Sequence, residues 1–460
     1  MGKNQASRQT KRTETMVSEP RGEDSVELLQ ALIRNACVND GTEASGQEIR
    51  NADVLTTFLE GAGLEVEQFH AAPGRTSIVA RIEGTDPNAP SLCLNGHTDV
   101  VPINPDGWDE DPFGGEIIDG EVWGRGAVDM LNLTASMAVV TRNLARSGTR
   151  LKGDLVFFGV ADEEAGSKYG ARFMGEHHPD AIRTDYLLTE NGGLHGGSED
   201  DPTITMVVGE KGIAWRRLRI TGTPGHGSRP YKSDNAVVKA AAVVQRLSEY
   251  NPGPRFHEYW RPQVDAMPLD DEMKAILLDD GAIDEMLATL PASRAGHLHA
   301  CTHTTFSPNV VSSQTKTNII PDVVEIDVDI RTLPGETHDD VENHLRTALG
   351  DLYDQVSVEV LLEEPSTQSR IDTPLWDSMQ KAVANPFPTS RIAPSLSVGF
   401  TDARVHRELG AVAYGAGLLA PTLTSAEFGS RFHGHNERID VESLHLTTRF
   451  FHDVATDLLG

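Results

Sequence analysis

Leu92-Cys93-Leu94-Asn95-Gly96-His97-Thr98-Asp99 sets the frame for the whole chain. A short apolar run ends in an imidazole and a carboxylate, the pattern of a buried strand whose carboxyl end carries polar side chains. The same pattern recurs downstream. The apolar run 155–161 is followed by Asp162-Glu163-Glu164, and the run 186–188 by Glu190. An earlier apolar run spans 76–82, and helical stretches follow Asp129 and lie near 168–176. This alternation predicts a mostly parallel α/β sheet. In an open sheet of that kind the strand carboxyl ends line the ligand crevice, so His97, Asp99, Glu163, Glu164 and Glu190 are expected to meet there. So many like charges in one crevice repel and shift each other's protonation unless cations neutralise them. A metal site is therefore predicted.

The spacing within each motif suggests a division of labour. His97 and Asp99 are two residues apart, so in an extended segment they share a face. Asp99 can then accept the proton of the imidazole nitrogen that does not bind metal. Glu163 and Glu164 are adjacent and point in different directions, which suits one ligand and one general base.

Outward from this frame, apolar residues recur at helical spacing over 25–37 and 47–61, with Gly63 as a terminator, so two helices open the fold. Around Thr205 the rhythm changes to longer alternating strands, 214–220 and 323–331, with helices expected at 235–249 and 338–349. An acidic helical stretch, 269–290, lies between Pro268 and Pro291, and its run 270–285 reads as a solvated helix face. After about residue 365 the α/β pattern returns, with a helix at 375–383, a strand at 412–414 and a final helix at 441–459. The expected organisation is a disordered tail, 1–23, a catalytic domain from 24–206 and 365–460, and an inserted α+β lid or dimerisation domain, 207–364.

Composition narrows the function. With 40 basic and 69 acidic residues the formal charge is −29, which repels phosphate backbones and anionic lipid heads, so neither nucleic acid nor membrane is an expected partner. The longest strongly apolar run, 155–161, is far short of the ~20 residues a membrane-spanning helix needs. A soluble cytoplasmic protein is expected. Cys37, Cys93 and Cys301 are odd in number and lack CxxC spacing, which argues against a disulfide framework or a thiolate zinc site. Metal chemistry falls to His, Asp and Glu.

A set of ordered motifs gives the chain a family likeness. His97-Thr98-Asp99-Val100-Val101-Pro102, Asp111-Pro112-Phe113, Gly124-Arg125-Gly126-Ala127-Val128-Asp129-Met130 and Asp162-Glu163-Glu164 resemble the signatures of the M20 metallopeptidases. The resemblance continues through Glu190, Gly225-His226-Gly227-Ser228, Asn318-Ile319-Ile320-Pro321, Arg331, Thr401-Asp402-Ala403-Arg404 and His433-Gly434-His435-Asn436-Glu437. It implies a dinuclear zinc centre in which Asp129 bridges, His97 and Glu190 complete one metal, and Glu164 and His433 the other. Co²⁺ or Mn²⁺ are possible substitutes for the two Zn²⁺. It further implies that Glu163 is the general base, that His226 stabilises the tetrahedral oxyanion, and that Arg331 with Asn318 binds the substrate carboxylate, a task suited to forked guanidinium donors. The loops 401–404 and 415–417 are expected to line the same pocket.

The resemblance implies a hydrolase of an amide bond beside a free carboxylate in small peptides, an exopeptidase or dipeptidase. The alternatives are an N-acyl amino acid deacylase and, in a different class, a ligand-binding relative without catalysis. A homodimer through the lid domain is expected, since many relatives lend the lid histidine to a partner subunit. Leu131-Asn132 stand where the family commonly has Lys-Gly, and the Gly-Gly common before the Asn-x-x-Pro segment is missing. The first departure points to a branch away from the best-studied deacylases, and the second to a lid of different shape over the cleft. Two blander readings also stand: His226 as an exposed loop residue, and Arg331 as a strand residue paired with Asp329 or Glu325. His297, His299, Cys301 and His303 alternate with period two, as if facing one side of a strand, but have no matching carboxylate and are not assigned to a metal.

Overall fold

The computed structural model describes residues 22–313 and 315–460; the expected tail, 1–23, lies almost wholly outside them. Ten strands form the larger sheet, in the order Val66–Ala72, Arg75–Ile82, Leu155–Val160, Leu92–His97, Tyr186–Thr189, Val412–Gly415, Pro202–Glu210 and Thr367–Gln368, with Arg391–Ser397 and His195–Gly197 also paired to Pro202–Glu210. The four central strands, from Leu155–Val160 to Val412–Gly415, run parallel. Antiparallel strands flank them on both sides. The mostly parallel sheet expected from the sequence forms the centre, where the site residues emerge, and Arg391–Ser397 adds a further parallel pairing to Pro202–Glu210.

Alternation explains why this sheet is covered on both faces. Leu92, Leu94, Leu155, Phe157 and Leu188 belong to one buried cluster with the helices Gly22–Arg34, Ile49–Glu60, Leu131–Ser147, Pro374–Ala384 and Val441–Leu459. Cys93, Val156, Phe158, Val160 and Leu187 belong to another, with Ala171–His177 and Ala403–Glu408. Strands apolar on both sides need helices on both sides. One close approach sets a helix on the sheet, since a Cβ on Gly96 would sit 2.4 Å from the Thr134 hydroxyl of helix Leu131–Ser147; within the sheet, one on Gly415 would sit 1.9 Å from the Glu190 carbonyl of the neighbouring strand's end.

The second sheet has four antiparallel strands, in the order Thr305–Ser312, Val323–Thr332, Gly212–Thr221 and Val356–Glu364. Val324, Ile326, Val328 and Ile330 face the helices Ala236–Glu249 and His338–Leu349, while the alternate residues are less buried. Strict alternation is what a sheet with one covered face requires. The change of rhythm placed around Thr205 falls a few residues later, because Pro202–Glu210 still belongs to the large sheet and the chain crosses at Lys211.

The acidic stretch 269–290 forms two short helices, Asp271–Leu277 and Ile283–Leu287, whose Leu277, Ile283, Met286 and Leu287 pack with Trp260 and Val264 in a small core of their own. Residues 297–303 do not form a strand. Ala292–Thr302 is a helix, whose Leu298 and Cys301, three residues apart, are buried in that same small core. At helical spacing His297 meets Cys301, 3.7 Å away, and His299 stacks on His303 with ring centroids 4.0 Å apart.

Candidate metal centre

Each expected ligand stands at the end of a secondary-structure element. His97 closes its strand. Glu163 and Glu164 lie in the 3-10 turn Glu163–Ala165 that follows strand Leu155–Val160, and Glu190 follows Tyr186–Thr189. Asp129 precedes helix Leu131–Ser147, and His433 follows helix Ser425–Arg431 in a left-handed conformation with φ 55°.

The fold brings these side chains together. His97 Nε2 lies 3.0 Å from Asp129 Oδ1, and His433 Nε2 lies 2.8 Å from Asp129 Oδ2 and 3.2 Å from Glu164 Oε2. Two sets have ligand atoms mutually within 4.8 Å: His97, Asp129 and Glu164, and His97, Glu163 and Glu190. His97, Asp129, Glu163 and Glu190 are buried, and the His433 side chain is half-exposed.

The electrostatics call for a cation. Burial, with Asp402, Glu164 and Asp129 adding to it, drives Glu163 well above the ordinary carboxylate range despite His97 beside it. Burial and the charges of Asp129 and Glu163 do the same to Glu190. Glu164 is pushed up to about 7 by burial and Asp129, with His433 partly offsetting them. Burial would lower both histidines, but hydrogen bonds to Asp129 and the surrounding carboxylates hold His97 well above its usual value and raise His433 to about 10. Burial opposes ionisation of Asp129, yet its hydrogen bonds from His433 and His97 pull its carboxyl below the usual range. Glu164 Oε1 is buried without a hydrogen-bond partner. An oxygen-rich, imidazole-containing donor set with an unmet oxygen fits a divalent transition metal such as zinc.

Asp99 orients the site by a different route from the one its spacing suggests. His97 Nδ1 lies 2.9 Å from the Asp99 backbone carbonyl, and 3.6 Å from the carboxylate. The carboxylate instead accepts hydrogen bonds from the backbone amides of Glu163 and Glu164, at 3.3 and 3.2 Å, and from the Asn39 side chain at 2.8 Å. It therefore holds the turn that presents both glutamates.

His226, Asn318 and Arg331 lie apart from the cluster in their contacts, whereas Asp402 of the loop 401–404 acts on Glu163. His226 is exposed, in a short ladder where it pairs with Ile319, and its Nδ1 accepts from the Ser228 hydroxyl at 2.8 Å. Asn318 extends the same ladder, its carbonyl accepting from Gly227 N at 2.8 Å. Arg331 is held by Asp329 through Nε at 2.8 Å and Nη2 at 3.3 Å, as the blander reading had it, while Nη1 is buried without a partner. Phe400 lies 5.3 Å from its guanidinium and 4.4 Å from that of Arg404. Asp402, two residues on, accepts from the Ser167 hydroxyl and is pushed up to about 6 by burial.

Sequence reasoning passed over Glu437. Its Oε1 accepts from the amides of Gly126, Val128 and Asp129 at 3.1, 2.7 and 3.0 Å, and its Oε2 accepts from Arg125 at 2.6 Å. The buried carboxylate thus shapes the loop that carries Asp129. Its place four residues after His433 was the available signal.

A model of the Peptidase family M20/M25/M40 matches residues 93–457. N-fatty-acyl-amino acid synthase/hydrolase PM20D1 of Xenopus tropicalis is 26% identical over 97% of this chain and 88% of its own length. Aminoacylase-1 of Mus musculus is 25% identical over 90% of each chain. Human carnosine dipeptidase 1 shares the fold, with a TM-score of 0.70 at 18% identity, covering 95% of this chain and 96% of that one.

Proposed function

The chain belongs to the Peptidase family M20/M25/M40, and from that membership and the buried cluster we propose a dinuclear zinc hydrolase that cleaves an amide bond next to a free carboxylate in small peptides. The observation that carries the reading is the placing of Asp129, whose two carboxylate oxygens face two different histidines, His97 and His433. That arrangement suits a carboxylate shared by two zinc ions, one held with His97 and Glu190 and the other with Glu164 and His433. Bound there, the zinc ions, or Co²⁺ or Mn²⁺ in their place, would polarise the substrate carbonyl and acidify water.

In this reading Glu163 takes the proton of the attacking water and hands it to the leaving nitrogen, and Asp99 steadies the Glu163 turn. Arg331, with Asn318, binds the substrate carboxylate, and the unpartnered Nη1 of Arg331 supports that role. His226 stabilises the oxyanion. Its exposed position suits a residue that serves a site across an interface, so a homodimer through the unit 207–364 is part of the proposal, against a catalytic unit of 24–206 and 365–460. Cytoplasmic placement is also part of it; among the described residues no helix is long and apolar enough to cross a membrane.

N-acyl amino acids form a second substrate reading, supported by the PM20D1 and aminoacylase-1 relatives that cover most of the chain. The test pairs elemental analysis with a mass-spectrometric competition assay on pooled dipeptides and N-acyl amino acids. About two zinc ions per chain and release of a free amino acid are expected. Activity with no more than traces of transition metal refutes the metal centre, and a metal-loaded protein that cleaves neither pool refutes the substrate class.

A further inference from the structure

The turn bearing Glu163 and Glu164 is braced by a buried network that none of the roles above uses. Asn39 is 3% exposed and lies in the loop after the first helix, joined to the catalytic sheet by the bridge between Val38 and Val100. Its amide nitrogen donates twice, to Asp99 Oδ2 at 2.8 Å and to Asp162 Oδ1 at 3.0 Å. Its amide oxygen accepts from Gly41 N at 3.1 Å and Ser45 Oγ at 3.2 Å. These contacts fix which end of the amide faces the two carboxylates. Asp162 also accepts from Arg75 and, through its other oxygen, from Tyr169 N at 2.7 Å. Arg75 in turn lies 2.9 Å from the buried carboxylate of Glu48.

The two aspartates that Asn39 joins grip the same turn from opposite ends. Asp162 is the left-handed residue, φ 66°, immediately before Glu163. Asp99 accepts from the backbone amides of Glu163 and Glu164. Two like-charged carboxylates sharing one buried site repel, and a side-chain amide with two N–H donors is the neutral group able to bind both.

Resting on the metal-centre reading above, we propose that Asn39 is a positioning residue for that centre, tying Asp99 to Asp162 so that Glu163 and Glu164 are already in place before metal binds. Groups that support metal ligands in this way change metal affinity or activity by about 10- to 100-fold when altered. The zinc ion held by Glu164 and His433 would be the more affected.

The test compares wild type, Asn39→Asp and Asn39→Ser. Asn39→Asp keeps the shape but turns a donor toward two carboxylates into a third acceptor, and Asn39→Ser shortens the side chain without adding charge. Zinc is titrated into chelator-stripped protein in competition with a chromophoric chelator, and kcat and KM are measured at saturating zinc. One of the two zinc affinities should fall about 10- to 100-fold in Asn39→Asp and less in Asn39→Ser, and kcat should fall while KM changes less than about threefold. Wild-type zinc affinities and kcat in both variants, even with a lowered melting temperature, would mean that Asn39 only stabilises the loop and would overturn the proposal. A wild-type protein that binds no zinc would instead overturn the metal centre itself, and the positioning role with it.

Discussion

Removing the Glu437 carboxylate gives the most demanding test of how the Asp129 loop is held. Glu437→Ala strands three backbone donors, the amides of Gly126, Val128 and Asp129, together with the buried guanidinium of Arg125. Each unmet buried amide costs roughly 1–3 kcal/mol. A buried charge deprived of its partner costs about 3–5 kcal/mol. These effects share one loop and do not add, and Arg125 retains Trp108, 5.4 Å away, and the His433 carbonyl at 3.4 Å. We therefore expect Glu437→Ala to lose about 5 kcal/mol in all. Glu437→Gln keeps an oxygen for the three amides but turns an uncharged NH2 donor, in place of the carboxylate acceptor, toward Arg125, so about 3 kcal/mol is expected. Guanidinium denaturation in excess chelator, followed by tryptophan fluorescence and circular dichroism, separates this cost from metal binding. A loss below about 1 kcal/mol in Glu437→Ala would show that water replaces the carboxylate and would refute the reasoning. Equal losses in the two variants would refute the division between amides and guanidinium.

Four other outcomes are expected. Glu163→Gln should retain both zinc ions by elemental analysis yet lose ~10² to 10⁴ in turnover, as removal of a general base does; near wild-type turnover would place the base elsewhere. Arg331→Ala should raise KM for substrates with a free carboxylate and leave their amides little changed, so equal effects on both would count against its role. Mixing inactive Glu163→Ala with inactive His226→Ala should restore roughly a quarter of wild-type activity after subunit exchange, since half of random dimers are mixed and each then has one intact site; no recovery despite proven exchange would place His226 within its own subunit's site or outside the reaction. His406 is buried without a partner at either ring nitrogen, and burial lowers it to about 3. Between pH 6.5 and about 3 the unfolded chain binds a proton that the folded one refuses, so stability should fall on acidification by about 1.4 kcal/mol per pH unit. His406→Leu should flatten that part of the denaturation profile, and an unchanged slope would assign the acid sensitivity to other groups.

How much of this protein could be read from its sequence depends on the range of the interactions involved. The central strands, the helices that cover them and the placing of His97, Glu163, Glu164 and Glu190 at strand ends follow from apolar patterning, which acts over a few residues. Residues 297–303 read as a strand because period two and period four coincide when every second residue is polar; the helix instead buries Leu298 and Cys301 in the small core. The change of rhythm is expected around Thr205, inside strand Pro202–Glu210 of the large sheet, because a strand's pattern does not reveal which sheet it joins. The partners that Asp99, Asn39 and Glu437 bind lay beyond any local pattern. Asp99 acts on the amides of Glu163 and Glu164, Asn39 reaches Asp162 across 123 positions, and Glu437 reaches Asp129 N across 308. A backbone amide is the same in every residue but proline, so a carboxylate that binds one leaves no mark on its partner's identity. The sequence could therefore name the residues that face the metal site, whose chemistry depends on their side chains. Only the tertiary structure shows what holds them, because the main-chain amides bound by Asp99 and Glu437 and the distant carboxylates bound by Asn39 are brought near by folding.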